Sequence, residues 1–569
     1  TNAQQMTVAA VLRQELDTTG WISGDFHLHQ KPSFDSGMAL DHRVRTIVAE
    51  GVDYVAATDH DVVTDFKPWI ETLGLDSWLK SVVGVEISTL DIGHYIGFPF
   101  KYKELDVPSH GSVDWYCMTS NVLVDTMVFE RSGFEQESGK DAASERPTSI
   151  IAHPRDGFLG WADAIGLNPY TMTRNRNEDA TSLAKDTQVF RTVTCDHDAM
   201  EVFNAKRFDL VRTPSVREIQ VFERCLIRID EAGVDKKAGT VDAAAARAAL
   251  PVACPELSLL PELAETPELM GKKFEKDGKT YWDLSTCSET ERIFECKHRY
   301  RSVLSVAVNT AMLVRTKDEQ DAWLVELART PQEREIWEPV PGKGRDAVKA
   351  QGMLEDLTKL CRVDRDAIDT SLTDLISAED MLRPCGERNG VLEDYFRFLE
   401  HGLVKAIIGG SDSHAASLEP GLPRTYIRSK TDAPAAIDVA EMARNMRASK
   451  VMTTYGAFLD VAVNGKGPGE TASAKAGAKL TVKIRVQTAS WYGVDLIEIY
   501  MNGKLAHREH VKAPTAAIID YDKTIELTVP SRDSWIVVST LGRSPKHWMS
   551  PVYLDVPFGE LQLPRLASM

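Results

Sequence analysis

The chain lacks any run of the ~18 apolar residues that a membrane-spanning helix needs, so no segment is read as crossing a bilayer. It also lacks a basic surplus. With 84 acidic against 66 basic residues the net charge is −18, and no Lys/Arg cluster offsets it, which argues against a nucleic-acid partner. Its eight cysteines include no CxxC pair and no zinc-finger spacing. Their even number permits disulfides in an exported protein. Together with a first residue that is Thr1 rather than Met, this tips the expectation toward export (periplasmic or extracellular) over the cytoplasm. There are no internal repeats and no low-complexity tract. What is present is an ordinary apolar content of 43%, which over 569 residues is enough for two or three cores.

Residues 3–16 place Val8, Val11, Leu12 and Leu16 at helical spacing, so residues 1–20 are expected to be an N-terminal helix ended near Gly20. From residue 21 a strand–helix–strand rhythm sets in. An apolar run ends in His27-Leu28-His29, and a helical face follows at Leu40, Val44, Ile47 and Val48. Val52–Ala57 ends in Thr58-Asp59-His60, and Ser81–Val85 ends in Glu86. His94 opens another apolar stretch; Ser149–Ala152 ends in His153-Pro154-Arg155. Ala199–Asn204 reads as a strand, and Ala406–Gly410 delivers Ser411-Asp412-Ser413-His414 before a helix over 434–450. Polar residues at successive strand ends are how α/β barrels build sites. The rhythm stops over 209–390, which is expected to be a helical insertion, with capping signals at Ser288–Glu291 and Thr330–Glu333. Period-two alternation at Leu480, Val482, Ile484 and Val486, with Asn464-Gly465 and Asn502-Gly503 turns, predicts a β-sandwich over 456–569. The expected division is therefore 1–20, 21–208 and 391–455 as two parts of one α/β unit, 209–390, and 456–569.

In a strand, side chains two apart share a face, so His27 and His29 project together, as two ligands to one metal would. Gathering the strand-end residues gives His27, His29, His60, Glu86, His94, His153, Asp412 and His414, with Asp35 nearby; these take six of the 14 histidines. A single histidine after a strand is more often a hydrogen-bonded structural residue, and Asp59 or Asp412 alone could cap a helix. Co-occurrence at separate strand ends outweighs that. Imidazole and carboxylate without thiolate suit zinc, iron or manganese, and so many ligands exceed the four of one zinc site, implying two or three divalent ions.

The motifs His27-x-His29, Thr58-Asp59-His60, Gly84-Val85-Glu86, His94-Tyr95-Ile96-Gly97, Ala152-His153-Pro154 and Gly410-Ser411-Asp412-Ser413-His414 resemble the polymerase-and-histidinol-phosphatase (PHP) superfamily. Within it, Asp25, Gly93–Pro99 and Gly421-Leu422-Pro423-Arg424-Thr425 resemble the CehA/McbA metallohydrolases, a branch that includes carbaryl hydrolase. The resemblance covers 21–204 and 391–455. It implies a distorted seven-stranded, TIM-like βα barrel. It also implies one ion on His27, His29 and Asp412, bridged by Glu86 to a second on His94 and His153, and a third on His60 and His414 with Asp35. Asp59 would orient His60 from behind.

Clustered divalent ions make hydroxide available near neutral pH, which points to a small-molecule hydrolase of ester-type bonds with Glu86 and Asp412 at its catalytic centre. Arg155 and Arg424 are candidates for binding an anionic substrate or a developing oxyanion, unless they form surface ion pairs. His197 is a candidate proton donor to the leaving group, unless it is a surface-loop histidine. Phe34, Trp69, Tyr95 and Phe158 lie near the motifs and could line an apolar pocket. A carboxyl ester, carbamate or amide substrate is expected first, a phosphoester second; a non-catalytic binding protein built around a structural metal cluster is the other class. The oligomeric state is left open by the sequence.

Overall fold

The computed structural model describes residues 14–134, 146–169, 172–175, 193–205, 354–363, 390–511 and 517–542, apart from positions 91, 117, 157, 158, 417, 491, 492 and 495. It also describes the short strands at 234–235, 240–242, 272–276, 279–283 and 566–568. The fold is mixed α/β, with several sheets and few helices among these residues.

Strand β1 (Trp21–Asp25) leads through helix α1 (Leu40–Ala49) to β2 (Tyr54–Ala57), and through α2 (Lys67–Leu73) to β3 (Lys80–Val83). All four residues of β2 are buried, as its unbroken apolar run requires of a strand covered on both faces. The three strands are parallel neighbours, and Arg424–Arg428 adds antiparallel to the other side of β1. That sheet runs on through Val451–Thr454 into C-terminal strands.

A second sheet holds β4 (Val85–Ser88), β5 (His94–Phe98), β6 (Thr148–Ile151), then Ala199–Asn204 and Ala406–Gly410. The two sheets share a core in which Ile22, Phe26, Ala56, Ile96, Phe98, Ile150, Val202 and Ile408 meet, and Phe26 stacks on Phe98 at 4.8 Å.

Among the described residues the ladders do not close into the expected seven-stranded barrel. The outer edges of β1 and β2 are already taken, by Arg424–Arg428 and by β3, so neither extends a ladder to the second sheet. The sheets touch instead at isolated bridges, Leu28 with Ser413 and His60 with Glu86, just beyond the ends of β1 and β2. The seam and the candidate ligands coincide.

The expected N-terminal helix falls mostly outside the described residues; the described part, 14–20, is irregular. Of 209–390, the described elements up to 283 are strands, which form a four-stranded antiparallel sheet, so the expected helical insertion finds no support there. The two capping signals fall outside the described residues. After Pro434 a short 3-10 turn precedes a helix at Val439–Arg447, N-capped by Asp438. In the C-terminal part, Lys479–Gln487 alternates exposed and buried residues as its sequence alternates polar and apolar. Its inward Val482, Ile484 and Val486 pack with Ile497, Ile499 and Val538 of the neighbouring sheet.

One covalent tie crosses the described parts. Cys195, just before the strand Ala199–Asn204, is bonded to Cys361, 166 positions on, in a core with Trp161, Met200 and Phe398. Crosslinking residues so far apart removes much chain entropy from the unfolded state. Replacing both cysteines by alanine should therefore cost about 2–5 kcal/mol in denaturant unfolding; an unchanged midpoint would count against the bond.

Candidate metal centre

The candidate ligands other than Asp35, which sits in the turn before α1, leave the backbone in or just beyond the end of a strand, and local sequence sets their aim. His153 (φ 24°) and Asp412 (φ 49°) both occupy the left-handed region that non-glycine residues avoid. Both are pinned by hydrogen bonds: His153 N donates to Glu201 Oε2 at 2.7 Å, and Asp412 N donates to the His27 carbonyl at 2.7 Å. Gly410 precedes this turn because a Cβ there would lie 2.3 Å from Glu201 Oε1 and 2.5 Å from His27 Cβ.

The nine predicted ligands come together. Their donor atoms fall into four groups, each within 4.8 Å of one another: His27, His29 and Asp412; His27, Glu86 and His153; His60, Glu86 and His94; and His29, Asp35, His60 and His414. Glu86, fully buried, is common to two of them and faces five imidazoles: His94 at 2.9 Å, His60 at 3.0 Å, His29 and His153 at 3.2 Å, and His27 at 3.3 Å. His27 Nε2, His29 Nε2 and Glu86 Oε2 are buried and make no hydrogen bond. They meet one another only at 3.2–3.3 Å ion-pair distance, and buried polar atoms that make no hydrogen bond are rare, so three aimed into one cluster fit a site for divalent cations. Asp35 lies at the half-exposed rim, its Oδ2 2.9 Å from His414 Nε2 and 3.2 Å from His60 Nε2.

The charges follow from this crowding. Burial alone would drive protons off His27, but Asp412, Glu201 and Glu86 outweigh it and hold its pKa well up. Burial likewise opposes charge on His60, yet Glu86 and Asp35 hold its pKa up at about 10. On His29 and His94 burial wins: His29 falls to about 4, and His94 also moves down. Burial favours a neutral Glu86, but the surrounding histidines hold it well below the carboxylate range.

Behind the ligands stand residues to which sequence reasoning gave no role. Glu201 accepts from His27 Nδ1 at 3.0 Å, which turns Nε2 toward the cluster, and it also holds the His153 backbone and Asn204 Nδ2. The available signal was a lone carboxylate in the otherwise apolar run Ala199–Phe203. Ser33 and Ser88 meet Nδ1 of His29 and His60. Arg43, buried, donates to the carbonyls of His29 and Ser413 at 2.9 Å and to Ser413 Oγ at 2.7 Å, joining the two ligand-bearing turns. Its place on the apolar face of α1, three after Leu40 and four before Ile47, was the clue. Asp25 ties the same region by accepting from the backbone N–H groups of His27, Ser411 and Gly421.

Four residues have other roles than expected. The guanidinium of Arg155 is buried against Asp394, at 2.6 and 2.7 Å, and Asp163, at 3.0 Å, so it braces the fold and is not presented to a substrate. Arg424 donates to the carbonyls of Glu50, Gly51 and Gly421, closing the end of α1. His197 is buried against Trp161 and Phe398 at the start of the strand Ala199–Asn204. At ~3.3 Å per residue it stands roughly 20 Å from the end that carries Asn204, too far to protonate a leaving group. Asp59 does not reach the His60 ring; it accepts from Gln30 N and Nε2 and from Thr64 Oγ1. Of the aromatic candidates, Tyr95 is buried in the core, Trp69 is part-exposed on α2, and Phe158 lies outside the described residues.

No protein-family model matches the chain, and no curated protein matches it. Among solved structures, a two-domain protein from Bacteroides vulgatus, described as containing a predicted PHP-like metal-dependent phosphoesterase, aligns with 99% of this chain and 100% of its own. Identity is 11% and the TM-score 0.27, a superposition too loose to define a fold or an activity.

A ring nitrogen must be free of its proton to bind a metal. His27 and His60, with raised pKa values, carry protons at neutral pH, whereas His29 and His94 do not. Loading metal-free protein with zinc at pH 7 in weak buffer should therefore release protons, and affinity should climb as pH rises toward about 10, where His60 loses its own. Uptake without proton release would contradict these charge states. Separately, Glu201→Gln should weaken metal binding roughly 10–100-fold in a chelator competition, since it loosens His27 while removing no ligand.

Proposed function

We propose that the protein is a metal-dependent hydrolase of ester-type bonds, as its PHP resemblance implies, acting on neutral aryl carboxyl esters or carbamates ahead of phosphate monoesters. The observation that carries the first half is the convergence of nine imidazole and carboxylate side chains, three with buried atoms that make no hydrogen bond, on one seam between sheets. Divalent ions bound there would lower the pKa of water and polarise a substrate carbonyl. The chain's own part is to place them. His27, His29 and Asp412 form one donor group, and Glu86 with His60, His94 and His153 spreads a single negative charge across the middle. His414 and Asp35 complete the solvent-facing side.

The substrate half rests on the cations. A phosphate monoester carries nearly two negative charges near pH 7 and calls for cationic partners besides the metals. Both candidate arginines are committed elsewhere, Arg155 to Asp394 and Asp163 and Arg424 to the end of α1. With His197 at the far end of its strand, a leaving group that departs as a stable anion suits the site better than one that must be protonated. An aryloxide is such a group.

Hydrolysis of p-nitrophenyl acetate and p-nitrophenyl phosphate, with and without chelator, tests this with one leaving group. The expected result is chelator-sensitive turnover with the higher kcat/KM on the acetate. A preference for the phosphate assigns a phosphoesterase, and inertness toward both with at least two ions bound leaves a binding protein.

A further inference from the structure

The turn between the first two strands carries Phe34, which is 84% exposed. Exposure alone does not single it out, since Tyr116 and Trp78 are also largely bare. Its attachment does. Ser33, on one side, meets His29 Nδ1 and accepts from His60 N; Asp35, on the other, lies between His60 and His414. Ser36 Oγ donates to the His414 carbonyl at 2.7 Å and lies 3.2 Å from that of His29, and Lys31 N donates to the Met38 carbonyl, so the turn is braced at both ends. An apolar side chain is thus displayed on one of the more firmly held loops of the centre.

Phe34 also ends a pile of rings. Its inner face lies on His60 with centroids 4.9 Å apart and planes 24° apart; His60 lies on His29 at 4.3 Å, and His29 on His414 at 4.0 Å. Three rings of the pile belong to the candidate ligand set, and the fourth is a phenyl with its other face toward solvent. Leaving a phenylalanine in water forgoes the favourable free energy of burying it. An incoming ring recovers that, and aromatic pairs at ~4.5–7 Å gain further from offset or edge-on contact. Phe34 is next in the chain to Asp35, whose carboxylate meets His60 and His414 at the rim of the ligand set.

Building on the hydrolase reading, we infer that Phe34 is the platform for the aromatic ring of the substrate and sets the preference for aryl over alkyl esters. It takes no part in bond breaking; it positions.

The test compares wild type, Phe34→Ala and Phe34→Tyr on phenyl acetate and methyl acetate by pH-stat. Metal content is measured on each, and equilibrium dialysis of 4-nitrophenol is run on metal-loaded and chelator-treated protein. Phe34→Ala should lower the aryl-to-alkyl ratio of kcat/KM roughly three- to tenfold, chiefly through KM for the phenyl ester. It should weaken nitrophenol binding by a similar factor and keep its ions, while Phe34→Tyr restores both. An unchanged ratio with unchanged nitrophenol binding overturns the inference, as does an equal loss on both esters or a loss of metal. A wild type that hydrolyses neither ester sinks the hydrolase reading instead, and the dialysis arm then decides on Phe34 by itself.

Discussion

A carboxylate shut away from water must be met by positive charge or hydrogen-bond donors, and Glu86 is shut away completely. It is met by five imidazoles drawn from four chain segments. Much of the local architecture can be read as keeping that meeting in place. Strand ends converge on it, two residues accept left-handed backbone to aim at it, and Arg43, Asp25 and Glu201 brace the turns from behind. These supporting groups are themselves buried and charged, so removing any one exposes its partners to the same difficulty that Glu86 poses.

Most ligand residues were legible because they announce themselves locally, as a histidine or carboxylate at the end of an apolar strand; Asp35, in a turn, was reached only through its nearness to His29 and the family resemblance. The strand Ala199–Asn204 was legible too, its bounds agreeing with the apolar run. What could not be read were partners chosen by the fold. Arg155 sits beside a ligand in sequence, yet its guanidinium is claimed by Asp394, 239 positions away. Arg424 lies in a glycine- and proline-marked motif but serves the end of a helix. Conversely, Glu201 carries no motif, and its importance follows only from a ladder that sets its strand between β6 and Ala406–Gly410.

The closed barrel failed as an expectation for a related reason. The strand-and-helix rhythm says which segments are strands, whereas closure depends on which edges remain unpaired. Arg424–Arg428 and β3 occupy the edges that a ring would need. Reading Arg424–Arg428 as part of a motif, and Lys80–Val83 as running straight into Glu86, concealed a strand that pairs with β1 and an edge strand that pairs with β2. Between β3 and β4 there is only Gly84, where the chain passes from one sheet to the other.

That crossing has a thermodynamic consequence. The sheets are linked by isolated bridges at the same place where the donor atoms gather, with His27, His29 and His60 following strands of the first sheet and Glu86, His94, His153 and Asp412 belonging to the second or following its strands. A cation held by both sets acts as a rivet through the seam. Whatever binds the joined arrangement and not the parted one adds RT ln(1 + [L]/Kd) to stability. For such an ion, supply of the metal and integrity of the fold would become one quantity, and its scarcity would be felt as a looser molecule.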